Sequence, residues 1–196
     1  MSNLDLKTDS KQDDGKVALY FGIACAKGIG YEKNLEEAVT WYLKAAEQDN
    51  SEAQVCLGFA YGLGHGVEKN PKQAAKWNLK AAIQGNIVAQ ANLGFAYYCG
   101  IGVEKDPDTG LIWLHNSAKH GYVRAQYLYG LLHFDYVGVP TDYQTAARWL
   151  ILADAGGYKK AAKELKSLEK HLSPEEQQAA KDWARDWKPR QVFRQG

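Results

Sequence analysis

Residues 51–86 read SEAQVCLGFAYGLGHGVEKNPKQAAKWNLKAAIQGN. Ala53, Leu57, Ala60 and Tyr61 recur at i, i+4, i+7 and i+8, the spacing of one helical face. Gly64 and Gly66 then break the run, because glycine reaches the positive φ that ends a helix and turns the chain sharply. Asn70-Pro71 starts a second helix: Asn caps, and proline is pre-set for the first turn. Over 72–84 that helix places Ala74, Trp77 and Ala81 on one face, and Gly85 ends it. The stretch is a helix hairpin, helix A followed by helix B.

The same hairpin is written four times at a spacing of 36 residues, over 15–50, 51–86, 87–122 and 123–158, without a gap. Trp41, Trp77, Trp113 and Trp149 share one position of the unit; Gly30, Gly66, Gly102 and Gly138 share another. A fixed period of this length implies an all-α, α/α superhelical solenoid in which each unit buries its apolar face on its neighbours. The tryptophans are expected to fill the wedge between helices, where truncation costs about 3–5 kcal/mol. Asp49 replaces the terminal glycine in unit one, so its turn is expected to be less comfortable.

The pattern Ala-x-x-x-Leu-Gly-x-x-Tyr-x-x-Gly-x-Gly-Val, then Ala-x-x-Trp-x-x-x-Ala-Ala-x-x-Gly, resembles the Sel-one-like repeat, a cousin of the tetratricopeptide repeat. Unit two carries it as Ala53, Leu57, Gly58, Tyr61, Gly64, Gly66, Val67, Ala74, Trp77, Ala81, Ala82 and Gly85. Unit one departs at Cys25 and Tyr31; unit four departs at Tyr129, His133 and Tyr136. The resemblance implies A helices lining a concave side and a role as an adaptor or scaffold. Cysteine-rich bacterial relatives are linked to penicillin binding through disulfide-clamped repeats. Cys25, Cys56 and Cys99 fall at different repeat positions, so that framework is not repeated here, and free thiols in a reducing compartment are expected.

The ends differ from the repeats. Residues 1–14 are polar and are expected to be disordered. They lack the basic and apolar blocks of a secretion signal. In 159–196, Ala161 and Leu165 begin a fifth helix A expected to run to about Leu172, and Ser173-Pro174-Glu175-Glu176 is a capping box. Ala179, Ala180, Trp183, Ala184 and Trp187 make an apolar stripe on the last helix. That helix is expected to cap the open end of the stack, or alternatively to offer Trp183 and Trp187 to a partner or a second copy. This segment has ten basic residues against six acidic ones, consistent with a solvated face. The whole chain carries a net charge of +1, which gives no global field for nucleic acid or acidic lipid. No apolar run is long enough for membrane insertion.

A second face of helix A carries the candidate site. Positions 5, 9 and 12 of the units hold Leu19, Ile23, Ala26; Val55, Phe59, Gly62; Ala91, Phe95, Tyr98; and Tyr127, Leu131, Phe134. Asn92 and Arg124 flank them. Either these side chains pack adjacent A helices together, or they form an open trough for a protein segment. Tyr98 and Tyr127 are expected to face a partner, since a phenol offers both apolar contact and a hydrogen bond. Leu19 and Ile23 stand where a carboxylate clamp would need Lys and Asn, which argues against that role.

No catalytic constellation is legible. Gly28-Ile29-Gly30, Gly64-His65-Gly66 and Gly100-Ile101-Gly102 follow helices and recur as inter-helix turns, not phosphate loops. The five histidines show no metal-ligand spacing. The expectation is therefore a cytoplasmic, non-enzymatic protein-binding scaffold without cofactor, its oligomeric state left open. An antitoxin or immunity-type inhibitor, and more remotely a β-lactam-binding protein, are the alternatives.

Overall fold

The computed structural model describes residues 3–30, 32–135 and 139–190, with side chains of 3–13 and 135 excepted. Tyr31, Tyr136 and Gly138 lie outside the described residues. The described chain is all-helical: α1 Asn3–Lys27, α2 Leu35–Ala46, α3 Ser51–Leu63, α4 Pro71–Ile83, α5 Ile87–Cys99, α6 Pro107–Lys119, α7 Val123–Asp135, α8 Tyr143–Ala155, α9 Lys160–Leu168 and α10 Pro174–Asp186. Odd-numbered helices α1 to α7 are the A helices of the four units, and each pairs with the B helix that follows it.

The caps explain the boundaries. Asn34, Asn70, Asp106 and Asp142 each accept hydrogen bonds from backbone N–H groups in the first turn of a B helix. Asn50 and Asn86 do the same for α3 and α5. Gly85, Gly121 and Gly157 take φ of 85°, 86° and 85°, and Asp49 is forced to +58° at the equivalent place. Among the described residues it is the one non-glycine in that region, which bears out the strained turn.

Within a unit, the helices approach through one glycine. A Cβ added at Gly22 would meet the Tyr42 ring at 2.6 Å, and one at Gly58 would meet Asn78 at 2.6 Å. Gly94 against Leu114 and Gly130 against Leu150 repeat the contact at 2.8 and 3.0 Å. Between units, a buried glutamine ties the stack. Gln54, Gln90 and Gln126 donate Nε2 to the carbonyls of Ala46, Ala82 and Ala118 in the preceding B helix, at 3.4, 3.3 and 3.3 Å. These carbonyls lie at helix ends and already accept the N–H of Asp49, Gly85 and Gly121 at 3.1, 3.0 and 3.0 Å, so each glutamine takes up the second lone pair and ties one unit to the next. Leu57, Leu93, Leu114 and Leu150 are fully buried between the layers.

Three expectations need correction. Residues from Asn3 to 14, expected to be disordered, continue α1 as helix. They contain neither proline nor glycine, so nothing stops a helix that unit one has already nucleated. Helix α9 ends at Leu168 and passes into a 3-10 turn, Glu169–His171, instead of running to Leu172. The capping box then starts α10 as expected: Ser173 Oγ accepts from the Glu176 N–H at 3.2 Å, and the Ser173 N–H donates to Glu176 Oε2 at 2.8 Å.

The third correction concerns the repeated tryptophans. Helix α10 packs on α8, as α9 does, with Ala179 of its stripe left exposed. Ala180 and Ala184 are buried there, and the rings of Trp183 and Trp187 sit 5.4 and 6.1 Å from that of Trp149. The chain then reaches unit three, where the Arg190 N–H donates to the Lys119 carbonyl at 2.9 Å. Trp149 is thereby buried, whereas Trp41, Trp77 and Trp113 are only half-buried. Lys80 lies 4.3 Å above the Trp77 ring, a stem over an aromatic face at the solvent edge. The repeated Trp is thus not a buried wedge in every unit. Only where a further helix is laid over it does it become core.

Candidate functional site

The A-helix side carries the candidate groove. Consecutive A helices touch there, α3 with α5 and α7 with α9. Position 5 forms the seam: Leu19, Val55, Ala91 and Tyr127 are all buried. At position 9, Phe59 and Phe95 emerge with 42% and 37% of their surface exposed, although both are large apolar rings. They stand on α3 and α5, one unit apart. Ile23 and Leu131, their counterparts at either end, are half-buried.

Tyr98 and Tyr127 do not present their rings to solvent as expected; both are buried. Tyr98 fits beside Gly110 of α6, where an added Cβ would fall 3.2 Å from the Tyr98 Cβ. Tyr127 stacks on Tyr158 at 4.5 Å and 29°, beneath the chain leading into α9. Phe134 is half-buried and meets Tyr143 and His171 edge-on at 6.2 and 6.0 Å. The C-terminal segment therefore covers Tyr127 and Phe134 of unit four, whereas Phe59 and Phe95 of units two and three stay exposed.

Asn92 and Arg124 are brought together. Arg124 Nη1 donates to Asn92 Oδ1 at 3.1 Å, and Asn92 Nδ2 donates to Asn78 Oδ1 at 3.4 Å. Asn78 Nδ2 in turn donates to the Ala74 carbonyl at 2.9 Å. This chain of amides crosses from α7 to α5 to α4 and ends on a guanidinium. Asn78 is the member that sequence reasoning missed. Its signal was a polar residue at a position held by Tyr42, Leu114 and Leu150 in the other units.

A second cluster sits under α10. His115 stacks on Tyr129 at 4.9 Å and meets Trp149 edge-on at 5.8 Å, while His133 packs edge-on to Tyr129 at 4.7 Å. Burial pushes both imidazoles below their ordinary value; Lys119 and Arg190 add to this for His115, and Asp142 and the Pro140 backbone oppose it for His133. Near the other end, burial and the adjacent Cys56 push the Tyr42 phenol up to about 12. Cys25, Cys56 and Cys99 are free thiols, each pushed up first by burial, which makes them poor nucleophiles. Among the described residues, no trio of His, Cys, Asp or Glu is arranged to hold a metal ion. No described helix is long and apolar enough to cross a membrane.

Known proteins agree with this geometry. The Sel1 repeat model matches residues 17–50, 51–86, 87–122 and 123–156. The crystal structure of a protective antigen of uropathogenic Escherichia coli strains, which displays an SLR fold, superposes with a TM-score of 0.81 at 31% identity. That match covers 91% of this chain but 38% of the antigen, so the chain spans well under half of that protein. A Sel1 repeat protein from Oxalobacter formigenes superposes with a TM-score of 0.73 at 33% identity, covering 89% of this chain and 72% of the other. Comparison with curated proteins gave no match. With four consecutive matches spanning the helical hairpins described above, the chain belongs to the Sel1 repeat family.

Proposed function

We propose that this protein is a binding module that grips a segment of another protein along the A-helix side of units two and three. Sel1 repeat proteins generally mediate protein–protein interactions and are typically non-enzymatic. The observation that carries the reading is the pair Phe59 and Phe95, two exposed aromatic rings at one repeat position on successive helices. Exposed aromatics over a packed floor are what an apolar side chain of a partner needs as anchor points. The floor is supplied by Val55, Ala91 and Tyr98, and the Arg124–Asn92 pair offers polar contacts beside it. Leu131 and Phe134 border the covered end. The free thiols favour a reducing, cytoplasmic setting.

The test is capture of a protein partner from source lysate by the full chain and by a Phe59→Ser, Phe95→Ser double variant. Both rings are exposed, so helicity and Tm should stay near wild type while capture is lost. Capture that survives the double substitution rejects the groove as the site.

A further inference from the structure

The outer face of α1 differs from every other A helix. Positions 3 and 7 are buried in unit two as Ala53 and Leu57 and in unit three as Ala89 and Leu93, all 0–1% exposed, because the preceding B helix packs on them. In unit one the same positions are Val17, 52% exposed, and Phe21, 37% exposed with its ring also stacked on Trp41 at 5.0 Å. Tyr20 at position 6 is 70% exposed. With Ala24 these residues recur at i, i+3, i+4 and i+7, a two-turn apolar stripe on the surface of one helix.

The stripe is not simply the receiving half of another repeat junction. Unit one has Ala18 where units two to four carry the glutamine that hooks the preceding B helix. It also has the bulkier Val17 where the others carry an alanine that permits close approach. At the far end of the stack, α9 and α10 cover α8, so head-to-tail addition of copies finds no matching surface.

The charges at the ends of the stripe point to its occupant. Exposed Asp14 lies one turn before Val17, and exposed Lys27 lies about one turn after Ala24. An antiparallel copy centred between Tyr20 and Phe21 sets Val17 against Ala24 and Tyr20 against Phe21 of the second copy. The same register sets Asp14 against Lys27, twice by symmetry. The stripe is self-complementary in shape and in charge. We propose that two copies of this protein pair head to head through α1, as a two-fold dimer built on Val17, Tyr20, Phe21 and Ala24 and closed by two Asp14–Lys27 pairs. This pairing leaves the groove of units two and three free, and it stands or falls independently of what binds there.

Sedimentation equilibrium of the full chain tests it. The expected mass at high concentration is twice 21.8 kDa, falling to one copy on dilution. Tyr20→Glu should give a single-copy mass throughout, with the melting curve retained because the residue is exposed. Asp14→Lys and Lys27→Asp should each weaken association about tenfold, and the two together should restore it. A single-copy mass for the wild type up to about 1 mM overturns the proposal. So does a dimer that survives Tyr20→Glu, or a double charge reversal as weak as the single ones.

Discussion

Gly102 of unit three lies against the carbonyl group of Pro71, the first residue of α4 in unit two. A Cβ at Gly102 would fall within that group, and Gly66 stands in the same relation to Leu35 one unit earlier. At Gly66 and Gly102 the second glycine of the loop thus serves two purposes: it takes a left-handed turn, and it lets two units touch backbone to backbone. Gly30 has the same turn, with φ +71°, but nothing within 4 Å of the added Cβ.

Alanine substitution separates these two purposes. Gly30→Ala should cost only the left-handed backbone, about 1–2 kcal/mol. Gly102→Ala adds a steric conflict between units and should cost about 3 kcal/mol or more. Urea denaturation of both variants measures the difference; equal losses would mean that the contact with Pro71 contributes nothing.

Asp49 offers the reverse experiment. It holds φ +58° where the other three units use glycine. Asp49→Gly should raise stability by about 0.5–1 kcal/mol, the relief of the left-handed strain less the entropy glycine adds to the unfolded chain. A fall in the urea midpoint would show that the Asp49 side chain contributes more than its backbone costs.

The tryptophans should not be equivalent. Trp149→Ala removes a ring enclosed by Tyr129, Trp183 and Trp187 and should cost about 3–5 kcal/mol. Trp77→Ala removes a half-buried ring and should cost about 1–2 kcal/mol. Matching losses in denaturant titrations would contradict the special role of α10.

Stability should fall on mild acidification. His115 and His133 are held below the ordinary imidazole value, first by burial. The unfolded chain therefore binds protons that the folded chain refuses. Their contribution is complete above the unfolded value of about 6.5 and declines as the pH falls through it. Tm should drop between about pH 7.5 and about pH 5.5, and His115→Gln with His133→Gln should flatten that slope. Parallel profiles for wild type and double variant would exclude these two residues as the cause. At lower pH the caps fail next. Hydrogen bonds from Thr109 hold Asp106 below the usual carboxylate range, and those from Thr145 do so for Asp142 against its burial. Their stabilisation is lost as the pH falls through those depressed values.

Local chemistry made much of this legible in advance. Asn70-Pro71, Gly85 and the Ser173 capping box mark helix ends by groups that act within a few residues, and those boundaries stand in the structure. The strain at Asp49 was legible for the same reason. Tyr98 and Tyr127 were not, because their burial depends on Gly110 and Tyr158, which reach them only through the fold. The glutamines were visible as a repeated letter, but their partner carbonyls are backbone and leave no mark in the sequence. The seat of α10 on α8, which encloses Trp149, depends on a surface that the fold assembles, and an amphipathic stripe alone does not name it.

The hydrogen bond from Arg190 to Lys119 also changes what distance measurements along this molecule report. A fluorophore on Lys188 would sit beside the third hairpin, not at the tip of the stack. Energy transfer from there to unit one would underestimate the length of the rod, while loss of the α10 seat would register as a sudden lengthening.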